Sequence, residues 1–304
     1  MNAKPLTNLA ESIRQRLRNL AKSTHRPAGD LLQYYAMERF LYRLSKSPYA
    51  DRFILKGALM LNIFGGQLSR ATKDIDFLGR TENNLEIIYN AIRDCLLMEV
   101  PKDGLEFDVA SLKIRPIQLD SPEVGAAATF DAKIGGAILK MQVDISFGSE
   151  VIPEALWVLY PQLLDFGSPE ILGYTAESII ADKFEAMVSR NETNTRLKDF
   201  YDIWVLSEIR EFEGRHLQAA IASTFQFFKT EIPVEVALCL TPEFFGRPDK
   251  LAQWKAFLGN AKISIELNLA DAAKRIEELL MPVCAQIRMG QDFNAKWVPK
   301  KGWV

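Results

Sequence analysis

FILKGALMLNIFGGQLSRATKDIDFLG, residues 53–79, is the stretch that decides the fold. It opens with an apolar run that is broken by Lys56 and Gly57 and resumes up to residue 64. Further on, Asp74 and Asp76 alternate with apolar residues. A two-residue period is typical of a β-strand and places both carboxylates on one face. The stretch therefore predicts a strand, a glycine turn, a helix and a second strand that carries two acids.

The acidic pair indicates a metal site. Two carboxylates on one strand face repel each other unless a cation lies between them. Mg²⁺ prefers hard oxygen ligands, usually one or two carboxylates together with substrate phosphates and water. Asp144 lies near the end of a later strand and is the candidate third acid. The sequence thus predicts Asp74, Asp76 and Asp144 as ligands of Mg²⁺, with a merely solvated strand face as the simpler alternative.

The residues before the acids favour phosphate binding. A glycine at a strand-to-helix turn lets the backbone approach a phosphate, and the start of a helix offers unpaired N–H groups. The turn here reads Lys56-Gly57-Ala58. Arg70 and Lys73 then precede the acids, where cations would face a triphosphate. We predict that Lys56, Gly57, Ala58 and Arg70 bind a nucleotide.

Outward from this stretch the pattern changes twice. Before it, helices are expected over 9–20 and 28–44, with Asp30 as a possible N-cap of the second. After it, a helix is expected over 85–97. Three strand-like stretches follow, over 105–119, 126–134 and 137–148, and Gly135-Gly136 between the last two is a hairpin signal.

Beyond Pro169 the pattern is helical again. Thr175 is a suitable N-cap for the first of these helices. The expected helical spans are 175–188, 196–206, 215–228 and 269–289. The sequence therefore predicts an α+β fold, with a mixed-sheet domain over residues 1–165 and a helical domain over 166–304.

A second group of charged residues lies in the helical half. Asp199 and Asp202 are three residues apart, and so on one face of a helix that is apolar nearly all round. Buried carboxylates are rare unless they are paired or functional. Lys183, on the preceding helix, is a candidate partner. One reading is a structural ion pair; the other places Lys183 on the NTP phosphates, with an aspartate orienting it or acting as a base.

Composition limits the choice of partner. The 304 residues carry a formal net charge of -2, so no chain-wide attraction to nucleic acid is evident and an RNA partner would need a local basic patch. The three cysteines are scattered in apolar surroundings, which argues against zinc. No stretch approaches the ~20 apolar residues of a membrane span, and the N-terminus lacks a signal-peptide pattern. A cytoplasmic protein without a membrane partner is expected.

The terminal run AKWVPKKGWV interleaves lysines with Trp297 and Trp303. Such interleaving can stack bases. The alternative is a tail that docks its tryptophans on the protein, and this alternative is favoured.

Taken together, these motifs resemble the AbiEii-type nucleotidyltransferase toxins of type IV toxin–antitoxin and abortive-infection systems. The resemblance covers almost the whole chain. Its specific segments are residues 53–79 and AESIIADKFEAMVSRNETNTRLKDFYDIWVL, and its supporting segments are LLQYYAMERFLYRLS, MQVDISFG and PVEVALCLTPEFFGRPDKLAQWKAFL.

The resemblance implies a polymerase-β-like nucleotidyltransferase domain with flanking helices, then a helical domain that closes the nucleotide cleft. By resemblance, Gly57 matches the glycine of the phosphate-binding turn, and Asp74 and Asp76 match the metal ligands. Lys183 matches the family's motif lysine and Asp199 an acid of its last motif. Such toxins are similar to tRNA nucleotidyltransferases, some extend tRNA 3′ ends, and an antitoxin from a neighbouring gene is the expected partner.

Two features depart from the family pattern. The turn usually reads Gly-Gly or Gly-Ser, whereas Ala58 follows Gly57 here. A backbone contact to phosphate survives this change, but a hydroxyl contact or phosphorylation of a serine does not. The interval from Gly57 to Asp74 is also slightly longer than in the minimal motif.

Three functions follow. The preferred one is Mg²⁺-dependent transfer of NMP from an NTP to the 3′ end of an RNA acceptor, with tRNA favoured, which would block translation; Asp74, Asp76, Lys183 and Asp199 would be its catalytic residues. The second keeps the chemistry but changes the acceptor to a protein or small-molecule hydroxyl. The third is a nucleotide-binding module without turnover.

Overall fold

The computed structural model describes residues 9–65, 72–118, 123–148, 150–261, 263 and 265–304. In this part of the chain the helices are α1 Leu9–Thr24, α2 Ala28–Lys46, α3 Gly57–Gly65, α4 Leu85–Leu97, α5 Ala176–Arg190, α6 Leu197–Ile209, α7 Gly214–Phe228, α8 Pro242–Phe245, α9 Pro248–Asn260 and α10 Leu269–Met289. The strands are β1 Phe53–Lys56, β2 Asp74–Gly79, β3 Glu106–Ile117, β4 Gly125–Ile134, β5 Ala137–Ser146, β6 Leu156–Leu159, β7 Glu170–Gly173, β8 Phe212–Glu213, β9 Lys296–Val298 and β10 Gly302–Trp303.

The described residues form two compact units, and neither is continuous in sequence. Unit 1 lies within residues 9–59, 72–147 and 157–173, and unit 2 takes the rest. The domain boundary expected after residue 165 stays a prediction. The compact units do not test it, because each of them combines segments that are separated in sequence. Within the described residues, no helix combines the length and the apolar character needed to cross a membrane.

A mixed sheet organises unit 1. Among the described residues its strand order is β3-β4-β5-β2-β1-β7-β6. β2 runs antiparallel to β1 and parallel to β5, while β3, β4 and β5 form an antiparallel meander. This arrangement confirms the expected mixed sheet with flanking helices. It also puts the acid-bearing strand β2 between two partners in the middle of the sheet.

One face of the sheet packs against α2. Phe40 of α2 lies 5.5 Å from Phe130 of β4 and 6.1 Å from Phe107 of β3, measured between ring centroids. Phe107 pairs with Ala132, and Phe130 is two residues from Ala132 on β4 and so shares its face. All three rings therefore lie on the same side of the meander. The residues on either side of Phe130, including Thr129, therefore point to the opposite face.

A β-bulge interrupts β3. Asp108 pairs with Asp131 of β4, but the next pairing joins Lys113 to Thr129, so five residue steps on β3 oppose two on β4. The Oγ of Ser111 closes the bulge: it donates to Asp108 O at 2.6 Å and accepts from Asp131 N at 2.8 Å. The three extra residues are an odd number, and they exchange the faces of β3 beyond this point.

A buried ion pair ties the segment before β7 to α2. The Arg39 guanidinium donates to Glu38 Oε1 at 2.7 Å and to Phe166 O at 2.7 Å. Glu38 Oε2 in turn accepts from Leu163 N at 2.7 Å. Both charged side chains are at most 1% exposed. Burial raises the pKa of Glu38 to about 7, although the Arg39 charge and the Leu163 N–H oppose the shift.

Unit 2 is built from the later helices and a small sheet of β8, β9 and β10. Thr175 caps α5 through its hydroxyl, which accepts from Ser178 N, as expected. The terminal run forms β9 and β10, and Trp297 is fully buried, with its Nε1 donating to Ser207 O at 2.9 Å. Docking of the tail is therefore confirmed for Trp297, which is not exposed for base stacking.

Most expected elements are present, and one detail was wrong. Helices were expected over 85–97 and 269–289, and both have these bounds. The Gly135-Gly136 hairpin is also confirmed, since Ile134 pairs with Ala137 across it. Asp30, however, does not cap α2: the N-cap is Pro27, and no side chain caps the helix. Asp30 lies in the first turn, where a carboxylate still favours the positive end of the helix dipole.

Candidate active site

The sheet register brings three carboxylates together. In the parallel pairing of β2 with β5, Asp76 lies opposite Asp144. Asp74, two residues earlier on β2, shares the face of Asp76. One carboxylate oxygen from each of Asp74, Asp76 and Asp144 lies within 4.8 Å of the others. These three residues, called the acid triad below, are the predicted metal ligands, and the structure brings all of them together.

Neutral donors hold two members of the triad. The Nε2 of Gln142 donates to both carboxylate oxygens of Asp144, at 2.9 Å each. The Thr72 hydroxyl donates to Asp74 Oδ1, and the Thr72 backbone N–H donates to the Tyr34 hydroxyl at 3.0 Å. Sequence reasoning missed Gln142, Thr72 and Tyr34. Gln142 could have been found, since a residue two before Asp144 on a strand shares its face.

The triad suits a hard divalent cation. Asp144 is only 7% exposed, and burial raises its pKa above the usual range. The Gln142 amide opposes this shift, whereas the charge of Asp74 adds to it. Three close carboxylates of this kind are unfavourable as anions, and a cation between them removes the repulsion. The donors are all carboxylate oxygens, the ligand type of Mg²⁺.

Gly57 packs directly against the triad. Its φ is +66°, in the left-handed region, and a Cβ built on it would overlap Asp76 Oδ2 and lie 2.8 Å from Asp76 Cγ. Only glycine fits both constraints. Gly57 is also the first residue of α3, so the unpaired N–H groups of that helix begin beside Asp76. The predicted glycine turn between strand and helix is confirmed.

Two other predicted nucleotide-binding residues, Lys56 and Ala58, lie on either side of Gly57 in the chain. Lys56 pairs with Asp76 in the β1–β2 register. Ala58 is 3% exposed, and a contact between its backbone and a ligand stays a prediction. Lys73 is exposed, directly before β2. Arg70 lies outside the described residues.

Lys183 and Asp199 form a second charged cluster, inside unit 2. The Lys183 ammonium donates to Asp199 Oδ1 at 2.7 Å and to Asp202 Oδ2 at 2.6 Å. Arg196 Nε lies 2.7 Å from Asp199 Oδ2. Both aspartates are at most 1% exposed, and Lys183 is 8% exposed. The predicted ion pair is present and includes Asp202, the second acid named from the sequence, whereas Arg196 was missed by sequence reasoning.

The charges of Lys183 and Arg196 keep Asp199 ionised. Burial favours the neutral acid, but the charges of Lys183 and Arg196 outweigh it and hold the pKa of Asp199 below its usual range. Asp199 is therefore an anion bonded to two cations. This arrangement fits an orienting partner for Lys183 better than a free base. A contact between Lys183 and NTP phosphates stays a prediction.

Comparison with protein-family models agrees with this chemistry. The family model for the nucleotidyl transferase AbiEii toxins of type IV toxin–antitoxin systems matches residues 39–280. No curated protein matches the chain by sequence. JHP933 from Helicobacter pylori is similar in structure, with 15% identity and a TM-score of 0.47 over 86% of this chain and 94% of that one. A second H. pylori structure, of a proposed nucleotidyltransferase, has 16% identity and a TM-score of 0.43 over 86% and 98%.

The family match spans most of the chain and includes both charged clusters. It confirms the resemblance found in the sequence, and it implies a nucleotide substrate and an antitoxin partner. The chain belongs to the AbiEii nucleotidyltransferase toxin family of type IV toxin–antitoxin systems.

Proposed function

We propose that this toxin transfers an NMP from an NTP to the 3′ end of an RNA, with tRNA as the acceptor, and thereby blocks translation. The observation that carries the proposal is the acid triad. Asp74, Asp76 and Asp144 converge on one sheet face beside the start of a helix. Such a group of carboxylates could bind the Mg²⁺ that transfer of an NMP from an NTP would use. Bound Mg²⁺ would lower the pKa of the acceptor hydroxyl and neutralise charge on the leaving pyrophosphate.

The reaction balances as an in-line displacement. The acceptor hydroxyl oxygen bonds to the α-phosphorus of the NTP, the bond between the α-phosphorus and the bridging oxygen breaks, and pyrophosphate leaves. The hydroxyl proton must pass to a base. A carboxylate of the triad would accept this proton. Gln142 keeps the Asp144 carboxylate in place through two hydrogen bonds.

The triphosphate belongs on the β1 side of the triad. There the first N–H groups of α3 begin at Gly57, and helix starts bind phosphate through such groups. Lys56 lies in the same row of the sheet as Asp76 and adds a positive charge. The absence of a side chain at Gly57 lets the Asp76 carboxylate lie directly against this turn.

The choice of RNA rests on the family resemblance to tRNA nucleotidyltransferases. The net charge of -2 is the observation that favours a protein or small-molecule acceptor instead. Because steering by the whole chain is weak, an RNA acceptor must be held by local cations near the triad.

The deciding experiment incubates purified protein with Mg²⁺, each labelled NTP in turn, total tRNA and a cell extract. We expect label in RNA from one NTP, release of pyrophosphate, and failure of the treated tRNA to support translation in vitro. Asp74→Ala should abolish all three results, whereas Asp51→Ala, which removes an exposed carboxylate of unit 1, should leave them unchanged.

The same assay distinguishes the alternatives. Label in polypeptide or in a small molecule would move the acceptor to that class. NTP binding by calorimetry without pyrophosphate release would identify a binding module and reject the transferase.

A further inference from the structure

The acid triad lies in a row of paired residues that crosses five strands. From β1 to β3 the row reads Lys56, Asp76, Asp144, Ala127 and Arg115. Directly paired residues of neighbouring strands share a face, so Arg115 lies on the same side of the sheet as the acids. The row therefore has a cation at each end and the acids between them.

The adjacent row also ends in a cation on β3. It runs from Asp74 through Gln142 and Thr129 to Lys113. Neighbouring strands are about 4.8 Å apart, so β3 is roughly 10 Å from β5, a distance that a lysine or arginine side chain largely spans. Both cations are exposed.

The bulge in β3 is what puts these cations on that face. If the pairing of Asp108 with Asp131 continued without a bulge, Ala110 would lie opposite Thr129, and Leu112 opposite Ala127. The three-residue offset replaces these apolar residues with Lys113 and Arg115. Bulges often redirect side chains beside active sites.

The two cations are not used by nearby acids. Lysines on the adjoining strands are paired: Lys133 with Asp108, and Lys140 with Asp131, at 2.8 Å each. In the described part of the chain neither Lys113 nor Arg115 forms an ion pair. Protection of an edge strand by charge would also place lysine on β3. Edge protection, however, does not require that both cations share the face of the acids.

The geometry points to an acceptor site: we infer that Lys113 and Arg115 bind backbone phosphates of the RNA whose 3′ end is extended. This inference rests on the proposed function. The triphosphate occupies the β1 side, at Gly57, and in-line displacement brings the acceptor hydroxyl from the opposite side, which is the β3 side. Cations at that end meet the phosphates that precede the 3′ hydroxyl.

The test compares wild-type protein with Lys113→Gln/Arg115→Gln. A fluorescent RNA hairpin with a single-stranded 3′ end gives the dissociation constant by anisotropy without Mg²⁺, and labelled NTP gives the KM values. We expect the dissociation constant for RNA to rise about tenfold. The slope of log K against log salt should become less negative by about 1.4, which is about 0.7 for each lost phosphate contact. The KM for NTP and the Tm should not change.

Two further variants make the result specific. Arg80→Gln/Lys102→Gln removes the same charge from exposed positions of unit 1, Arg80 being beyond the far end of β2, and should bind RNA as wild type does. Lys113→Arg/Arg115→Lys keeps the charge and should retain most of the binding.

Different failures have different meanings. If wild type labels RNA while Lys113→Gln/Arg115→Gln keeps the wild-type dissociation constant and salt slope, the inference is wrong and the proposed function stands. If wild type labels no RNA but transfers to another acceptor, both are wrong.

Discussion

Two clusters of aspartates, each with a buried member, differ in how their charge is balanced. In unit 2, Asp199 is bonded to Lys183 and contacts Arg196, and its pKa is lowered. In unit 1, Asp144 is bonded to the neutral amide of Gln142, and its pKa is raised by burial and then by Asp74. Both carboxylates are nearly inaccessible to water, so the difference comes from their partners.

The comparison separates a charge that is balanced within the fold from one that is not. Asp199 has its counter-ions in the chain, and its cluster is stable as it is folded. Asp144 forms no ion pair within the described residues, and a cation bound by the triad would lie next to it as a counter-ion. A charge that folding leaves uncompensated destabilises the protein, and such positions are candidates for function.

The largest expected effect comes from Asp144→Asn. Loss of one carboxylate from the triad should reduce pyrophosphate release by at least about a thousandfold, since metal stabilisation of the transition state contributes several kcal/mol. Stability without Mg²⁺ should stay equal or rise, because a buried, repelled charge is removed while an amide oxygen still accepts from Gln142. Steady-state kinetics and thermal unfolding check both. A clear fall in the Tm of Asp144→Asn would show that the Asp144 carboxylate stabilises the fold, as the Asp199 carboxylate is expected to do.

Asp199→Asn should act in the opposite way. Breaking a buried ion pair by removing one partner costs about 3–5 kcal/mol, because Lys183 keeps its charge with fewer counter-ions. Urea unfolding measures the loss. The apolar variant Lys183→Met/Asp199→Leu/Asp202→Leu replaces the three buried members and leaves Arg196, which is 28% exposed. It should recover most of the stability, since replacing buried charges together is often neutral.

Activity of the recovered variant decides the role of Lys183. If Lys183 contacts the triphosphate, the apolar variant is folded but transfers little nucleotide, with a raised KM for NTP. Wild-type kinetics in a folded apolar variant would leave the cluster with a structural role only.

The smallest effect concerns Glu38, a buried carboxylate bonded to a single arginine, Arg39. Its folded pKa of about 7 exceeds the ordinary value of 4.5, so its contribution to stability is fully present below pH 4.5 and is lost as the pH rises through about 7. The free energy of unfolding of wild type should therefore fall with pH relative to Glu38→Gln, by at most about 3 kcal/mol. Urea titrations at intervals from pH 4.5 to 8 measure it. Parallel curves would mean that Arg39 keeps Glu38 ionised throughout.

Much of the site could be predicted from the sequence, because the patterns that indicate it are local. The two-residue period around Asp74 placed both acids on one face, and Gly57 marked the turn beside them. Asp144 was identifiable only by residue type, since its pairing with Asp76 is a long-range parallel contact. The helix of Asp199 was expected to be buried because it is apolar nearly all round, and it is.

The remainder depended on register, which no local pattern specifies. The bulge at Ser111 exchanges the faces of β3, so alternation along the strand assigns Lys113 to the wrong side if it is extrapolated from Asp108. Strands β6 and β7 were missed because they are four residues each and lie in an irregular segment. Short strands of this kind are stabilised by their neighbours in the sheet more than by their own sequence.

The contact between Gly57 and Asp76 also has a genetic consequence. Every amino-acid replacement of a glycine adds at least a Cβ, and here that atom meets both a left-handed backbone and a carboxylate of the triad. Almost any missense change in this one codon should therefore displace Asp76 and inactivate the toxin. A cell that has lost the antitoxin gene could escape by a single nucleotide change at codon 57, and alleles recovered by such selection should cluster there.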